Sequence, residues 1–275
     1  MLVKLKTIVH ILIYIFAFIG LFLTAGYVAV RLKLTDTYGI VIDEQDKSFI
    51  KHEKNAAPYQ KFPLAHRPEW IAFKIAVTKD KELIKAISKE TGVPERVLIS
   101  LLVPEQMRLF NSNRELFKQV FDPLKILGSQ SQFSWGIFGI KDETARMVEN
   151  HLKNTKSPFY LGPSFEKILD FKTDNPDEER FSRIIDEHNH RYAYLYTALY
   201  IAQIEAQWKK AGFPISDKPD ILATLFNLGF AKSVPKANPK ADGSAMEIDG
   251  KLWSFGDLAG VFYYSDELIE IFPVK

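Results

Sequence analysis

The chain contains no cysteine among its 275 residues. This excludes disulfide bonds and metal sites with thiolate ligands, but it leaves the redox compartment open, because a chain without thiols does not respond to it. The net charge is also small, since 36 basic and 34 acidic side chains leave a formal charge of +2. The two signs are interspersed and form no basic stripe of the kind that follows a nucleic-acid backbone. We therefore expect no nucleic-acid partner.

Charged side chains are also absent from Thr7 to Val30, where leucine, isoleucine, phenylalanine, valine and alanine dominate. At about 1.5 Å per residue this run is about 36 Å long, slightly more than the hydrocarbon core of a bilayer at about 30 Å. A cleavable signal peptide has a shorter apolar stretch and a small-residue cleavage site, for which Thr24-Ala25-Gly26 is a weak candidate. We therefore predict that residues 1–33 form an uncleaved transmembrane anchor, with the membrane contacted through residues 7–30.

Basic residues flank this run on both sides, with Lys4 and Lys6 before it and Arg31 and Lys33 after it. The positive-inside bias is small and favours a cytoplasmic N-terminus. The part of the chain that follows the anchor would then lie on the outer side of the membrane.

After the anchor, the composition predicts a stalk or irregular arm over residues 34–66 and a mainly α-helical domain over residues 67–275. The stalk region mixes charged and polar residues with little apolar periodicity. In the domain, apolar spacing and end signals predict helices over 70–77, 79–90, 142–152, 178–211, 221–228, 256–264 and 266–271. Alternation around Asp249-Gly250 predicts a β-hairpin within Met246–Trp253.

A further helix begins at Val93-Pro94-Glu95, with proline in its first turn. Val97, Leu98, Leu101 and Leu102 give this helix one apolar stripe. Pro104 follows, and an interior proline removes a backbone hydrogen bond at a cost of roughly 3 kcal/mol. We therefore expect a kink or a helix end at Glu105.

Three segments in order resemble the lysozyme-like lytic transglycosylases of the soluble-transglycosylase type. In that family an apolar helix leads into a glutamate, as Val97 to Glu105 does here. A Gly-Leu-Met-Gln-Ile loop followed by Thr-Ala is matched by Gly136–Ile140 with Thr144-Ala145, and a Tyr-Asn-Ala-Gly turn by Phe226–Gly229. The resemblance implies a lysozyme-like helical domain with a small β-hairpin.

The resemblance further implies a peptidoglycan lytic transglycosylase that needs no cofactor or metal and whose partner is the glycan strand. Glu105 would act as acid and then base while the muramic acid 6-hydroxyl attacks its own anomeric carbon, leaving a 1,6-anhydro sugar. It also implies a single-pass protein of the bacterial inner membrane with its domain in the periplasm. The implied substrate-binding residues are Ser134, Gly136, Phe138, Gly139, Ile140 and Asn227.

Departures from the family pattern keep other functions open. Gly139 replaces the family glutamine, Phe226 the tyrosine, and Gln106 the serine after the glutamate. The alternatives are a catalytically inactive lysozyme-like module that binds glycan or scaffolds a wall-spanning machine, and a hydrolytic muramidase with a second carboxylate that positions water. The glycines could also serve only a tight loop, and Asn227 to Gly229 only a helix C-cap.

Several residues outside the three segments are weaker candidates. Glu115 and Glu205 are reserve candidates for the acid. His188 and His190 suggest a metal site only weakly, because residues two apart on a helix do not share a face. Aromatic side chains that could stack on pyranose rings are Trp135, Phe138 and Tyr263.

Overall fold

The structure is a computed structural model that describes residues 62–111, 136–186 and 188–274. Near the N-terminus it also describes the isolated helical positions His10, Tyr14, Phe16, Ala17, Gly20, Leu21 and Thr24. The chain divides into two compact units, Met1–Gly39 and Ile40–Lys275. The predicted anchor over 7–30 and the stalk over 34–66 lie mostly outside the described residues. Within the described residues, no helix combines the length and the apolar character needed to cross a bilayer.

The described part of the second unit is mainly helical, as predicted, with one two-stranded antiparallel sheet. Its elements in chain order are α1 (Pro68–Lys79), α2 (Lys81–Thr91), α3 (Glu95–Asn111), α4 (Asp142–Lys153), α5 (Pro176–Ile185), α6 (Arg191–Lys210), α7 (Pro219–Leu228), β1 (Ala245–Ile248), β2 (Lys251–Ser254) and α8 (Phe255–Tyr263). Two short 3-10 turns, Pro163–Phe165 and Phe230–Lys232, complete the set.

Local signals account for several of these boundaries. Gly92 ends α2 in the left-handed region, at φ 79°, and its N–H donates to the Ser88 carbonyl, which confirms the predicted C-cap. Proline occupies the first turn of α1, α5 and α7, where its missing N–H removes no helical bond. At α5 the Asn175 side chain also accepts from the Glu178 N–H.

Of the two outcomes predicted at Glu105, a kink or a helix end, the helix end is wrong, because α3 continues through Pro104 to Asn111. The residues before the proline explain this persistence, since all those from Val97 to Val103 are buried, with exposed fractions of at most 3%. Tertiary packing of that buried turn outweighs the loss of one backbone hydrogen bond.

The single helix predicted over 178–211 is also wrong, because α5 and α6 are separated after Ile185. The cause is local competition for backbone donors. The Asp186 carboxylate accepts from the N–H groups of His188 and Asn189, and the Asn189 side chain accepts from the Arg191 N–H. Such side-chain bonds offer the backbone an alternative to the helix.

The predicted hairpin is confirmed by the register of the sheet, in which Met246 pairs with Trp253. Its turn residues Asp249 and Gly250 have φ of 52° and 75°, as a type I′ turn requires. By contrast, the helix predicted over 266–271 is a series of turns.

The core centres on α6, which packs against α2, α4, α5 and α7. Twelve of its residues are buried, namely Ala193, Tyr194, Leu195, Tyr196, Thr197, Ala198, Leu199, Tyr200, Ile201, Gln203, Ile204 and Trp208. Phe62 and Leu64, in the region predicted as stalk, are each 2% exposed. The Phe62 ring lies 4.5 Å from that of Trp70, so the packed domain includes the chain from Phe62 onward.

Helices α7 and α8 pack closely against each other, and glycine permits their approach. A Cβ added at Gly256 would lie 2.2 Å from Oγ1 of Thr224 and 2.7 Å from the Asp220 carbonyl oxygen. Since no side chain fits there, the two backbones meet directly. This contact holds α7, which carries the predicted substrate-binding Asn227, against the start of α8.

A fully buried arginine joins α3 to the C-terminal turns. The guanidinium of Arg96 has an exposed fraction of 0%, and its five N–H donors all reach backbone carbonyl oxygens. The acceptors, at 2.6–3.0 Å, are the carbonyls of Phe262, Tyr263, Ser265, Glu267 and Phe272. Because several of these carbonyls close α8, the cation also offsets the negative end of that helix dipole.

We predict that Arg96→Lys lowers the free energy of unfolding by roughly 3 kcal/mol or more, because a lysine cannot reach all five carbonyls and leaves buried acceptors unpaired. Arg191→Lys is the matched control, since Arg191 pairs with Glu90 at a partly exposed site. That variant should lose less than about 1 kcal/mol. Urea unfolding of both variants measures the difference, and equal losses would contradict the role given to Arg96.

Candidate active site

Glu105 lies on α3 with its side chain turned into the domain, and the residue is 3% exposed. Its Oε1 accepts from Nη2 of Arg108 at 2.6 Å, one turn further along the helix. A buried carboxylate costs free energy unless it is paired, and this cation supplies the pairing. Arg108 was not singled out from the sequence, where it is one of many basic residues at i+3 spacing from an acid.

The second predicted segment lies beside this helix. The Gln106 side-chain amide donates to the carbonyl oxygen of Ile137, which ties α3 to the turn over Gly136–Ile140. Gln106 stands where the family has serine, so this departure has a structural role of its own. The N–H of Gly139 donates to the Gly136 carbonyl at 3.2 Å and closes the turn.

Position 136 requires glycine for two reasons: its backbone conformation, and the lack of space for a side chain. Its φ is +64°, and an added Cβ would lie 2.4 Å from the carbonyl oxygen of Ile184 at the end of α5. Gly139 also has a positive φ, of 60°. The structural reading of these glycines therefore holds whether or not their backbone binds a sugar.

The third predicted segment meets the second through aromatic rings. The Phe138 ring makes edge contacts with Phe226, at 6.4 Å between centroids, and with Tyr194, at 5.2 Å. Phe138 is 1% exposed and Ile140 4%, so both side chains belong to the core, and the Phe138 ring has no face open for stacking on a sugar. Tyr263 is 6% exposed, so its ring is likewise too buried to stack on a sugar.

Asn227 holds the segment that leads into the hairpin. Its Oδ1 accepts from the N–H of Ser244 at 2.8 Å, and a Cβ on Gly243 would approach that oxygen to 2.9 Å. The Ser244 hydroxyl oxygen is buried and makes no hydrogen bond in the described part of the chain. Asn227 therefore positions the chain before β1, and Ser244, which no sequence signal pointed to, lies beside it.

The structure thus links all three sequence-predicted segments through contacts of Gln106 with Ile137 and of Phe138 with Phe226. Ser134, Trp135 and Glu115 fall outside the described residues. His188 and His190 both lie in the turn between α5 and α6 rather than on one helix, and Nδ1 of His190 lies 2.7 Å from Oδ2 of Asp80.

Tyr194, which contacts Phe138, also belongs to a polar cluster with Asp80. Its hydroxyl donates to Oδ2 of Asp80 at 3.2 Å. Burial, together with that neighbouring carboxylate, raises the pKa of Tyr194 well above its ordinary value. The phenol therefore stays a neutral hydrogen-bond donor behind the turn over Gly136–Ile140.

Comparisons of the chain with models of protein families, with curated proteins and with solved structures give no match. The lysozyme-like resemblance therefore rests on the quoted motifs and on the contacts among them.

Glu205, the reserve acid on α6, has a perturbed carboxyl group. Burial raises its pKa to about 7. A carboxyl in this range is able to hold a proton near neutrality, which is what a general acid needs. It lies on a helix that carries none of the three motif segments, so it remains a reserve candidate.

We predict that Glu205 makes the domain less stable as pH rises. A pKa raised in the folded state means that the unfolded carboxyl loses its proton first, so stability is lost between about pH 4.5 and pH 7. Glu205→Gln removes this loss and should be more stable than the parent at pH 8, by at most about 3 kcal/mol, and equal to it at pH 4.

Urea unfolding of parent and variant at both pH values measures this difference. Glu82→Gln is the control, because the Glu82 side chain is 82% exposed. A stability difference between parent and Glu205→Gln that does not change with pH would contradict the prediction.

Proposed function

We propose that the chain is a membrane-anchored peptidoglycan lytic transglycosylase, with Glu105 as its general acid and base. It would cleave the β-1,4 bond between N-acetylmuramic acid and N-acetylglucosamine and leave a 1,6-anhydro-muramic acid end. The apolar run over residues 7–30 would anchor it in a bacterial inner membrane, with the domain in the periplasm.

One observation carries the proposal: three sequence segments far apart in the chain contact one another in series, and one of them carries Glu105. Gln106, next to Glu105, donates to Ile137, and Phe138 in the same turn packs against Phe226, next to Asn227. Periodicity of the sequence does not require these contacts, and a common glycan site would account for them.

The chemistry needs only one carboxyl group when the nucleophile belongs to the substrate. Most glycosidases use two carboxylates, one to protonate the leaving oxygen and one to attack or to activate water. Here Glu105 would give its proton to the glycosidic oxygen while the C6 hydroxyl of muramic acid attacks C1. Glu105 then takes the proton of that hydroxyl, so no water is consumed.

Burial suits Glu105 for this role, because water that is excluded from the carboxyl group cannot compete with the sugar hydroxyl. Its neighbours Val103 and Met107 are buried at 0% and 3% exposure. The backbone of Gly136–Ile140 and the side chain of Asn227 would bind the N-acetyl group and hydroxyls of the sugars. Since Oδ1 of Asn227 already accepts from Ser244, the Nδ2 group is the atom it offers.

The second candidate is a catalytically inactive module that binds glycan strands. Two contacts favour it, because Arg108 occupies Oε1 of Glu105 and Ser244 occupies Oδ1 of Asn227 in the absence of substrate. A binding module would keep both contacts, whereas an enzyme that uses Oε1 must release it from Arg108.

We predict that the full-length chain in detergent releases anhydro-muropeptides from purified peptidoglycan and that Glu105→Gln loses at least about a hundredfold of this rate, because it lacks the transferable proton. Glu82→Gln on α2 is the matched control and should retain the parent rate. Mass spectrometry of the products distinguishes an anhydro end from the reducing end that a hydrolytic muramidase would leave.

The same digest separates the candidates. Products with reducing ends in place of anhydro ends would mean that the enzyme is a hydrolase rather than a lyase. If no product is released and both proteins still sediment with the glycan, the enzyme proposal fails and the binding module takes its place.

A further inference from the structure

Two arginines on α3 are used in different ways. Arg96 is fully buried, and its guanidinium donors are all taken by backbone carbonyls. Arg108 donates through Nη2 to Glu105, but its Nε is buried and has no hydrogen-bond partner in the described part of the chain. A buried N–H without an acceptor is costly, so Arg108 is not a completed structural contact in the way that Arg96 is.

The pair also blocks one oxygen of the proposed acid in its present arrangement. A protonated carboxyl group donates its O–H to a glycosidic oxygen at about 2.6–3.2 Å between the two oxygens. Nη2 of Arg108 already holds Oε1 of Glu105 at 2.6 Å, which is that same contact distance. For Oε1 to act as the acid oxygen, the arginine has to turn away before the sugar oxygen can take its place.

The Arg108 side chain is partly open to solvent. It is 21% exposed, against 4% for the side chain of Glu105. Turning toward solvent would free Oε1 and at the same time uncover the Nε–H. A glycan at this site presents hydroxyl and carbonyl oxygens, which are acceptors for that donor.

We propose that Arg108 is a glycan-binding residue that holds Glu105 in the free protein and transfers to an oxygen of the bound sugar strand. This inference rests on the proposed function, and it adds to it a recognition group outside the motifs of the resemblance. The ion pair keeps the buried carboxylate satisfied until substrate arrives. Binding of the strand then removes the cation from Glu105, and the carboxylate takes up a proton from solvent before it acts as the general acid.

The test is Arg108→Lys in the full-length chain, with Arg191→Lys as the matched control. Lysine keeps a cation beside Glu105 but lacks the Nε–H, so the KM for peptidoglycan should rise about tenfold, as expected for one lost hydrogen bond to a charged donor, with kcat within about twofold of the parent. A loss of folded protein would lower the apparent kcat and leave KM unchanged. An unchanged KM, or a fall in kcat alone, would overturn the proposal.

Binding gives a second measurement that does not depend on turnover. Sedimentation with purified peptidoglycan should be about tenfold weaker for Arg108→Lys than for the parent and for Arg191→Lys. If the parent releases no product, the lyase function fails while this measurement still decides on Arg108. Equal affinities of parent and Arg108→Lys would overturn its role in binding.

Discussion

The buried guanidinium of Arg96 is the interaction on which the described domain depends most. It projects from the first turns of α3 and holds five carbonyls of the C-terminal turns. The Glu267 side chain extends the same junction to α1, because it accepts from the Trp70 indole and from Lys74. One cation thereby fixes α1, α3 and the end of α8 relative to one another, although these elements are far apart in the chain.

This junction bears directly on the candidate site, since α3 carries both Arg96 and Glu105. The C-terminal turns hold the start of the helix, and Gln106 holds the turn over Gly136–Ile140 near its other end. At α7 the arrangement is similar, because the close approach at Gly256 sets the helix and Asn227 then fixes the chain that enters β1. The candidate site is thus built between helices whose ends are held by polar contacts.

The sequence predicts well those features whose cause is local. The Gly92 cap and the Asp249-Gly250 turn each depend on residues a few positions apart, and both are confirmed. The errors come from long-range or competing interactions. Pro104 does not end α3 because the buried residues before it outweigh one lost bond, and 266–271 does not form a helix in a segment whose carbonyls at Glu267 and Phe272 are turned toward Arg96. No spacing rule could reveal such a partner.

The same contrast between local and long-range causes explains which residues of the candidate site could be predicted from the sequence. Motif order pointed to Glu105, Gly136 and Asn227, and these segments do come into contact. Arg108 and Ser244 gave no signal, since an arginine at i+3 and a serine after glycine are common on any surface. Their importance follows from burial: among the described residues, Arg108 Nε and the Ser244 hydroxyl oxygen are buried and have no hydrogen-bond partner. Such unsatisfied polar atoms are expensive in a resting domain, and under the proposed function an incoming glycan rich in hydroxyl groups would relieve that cost.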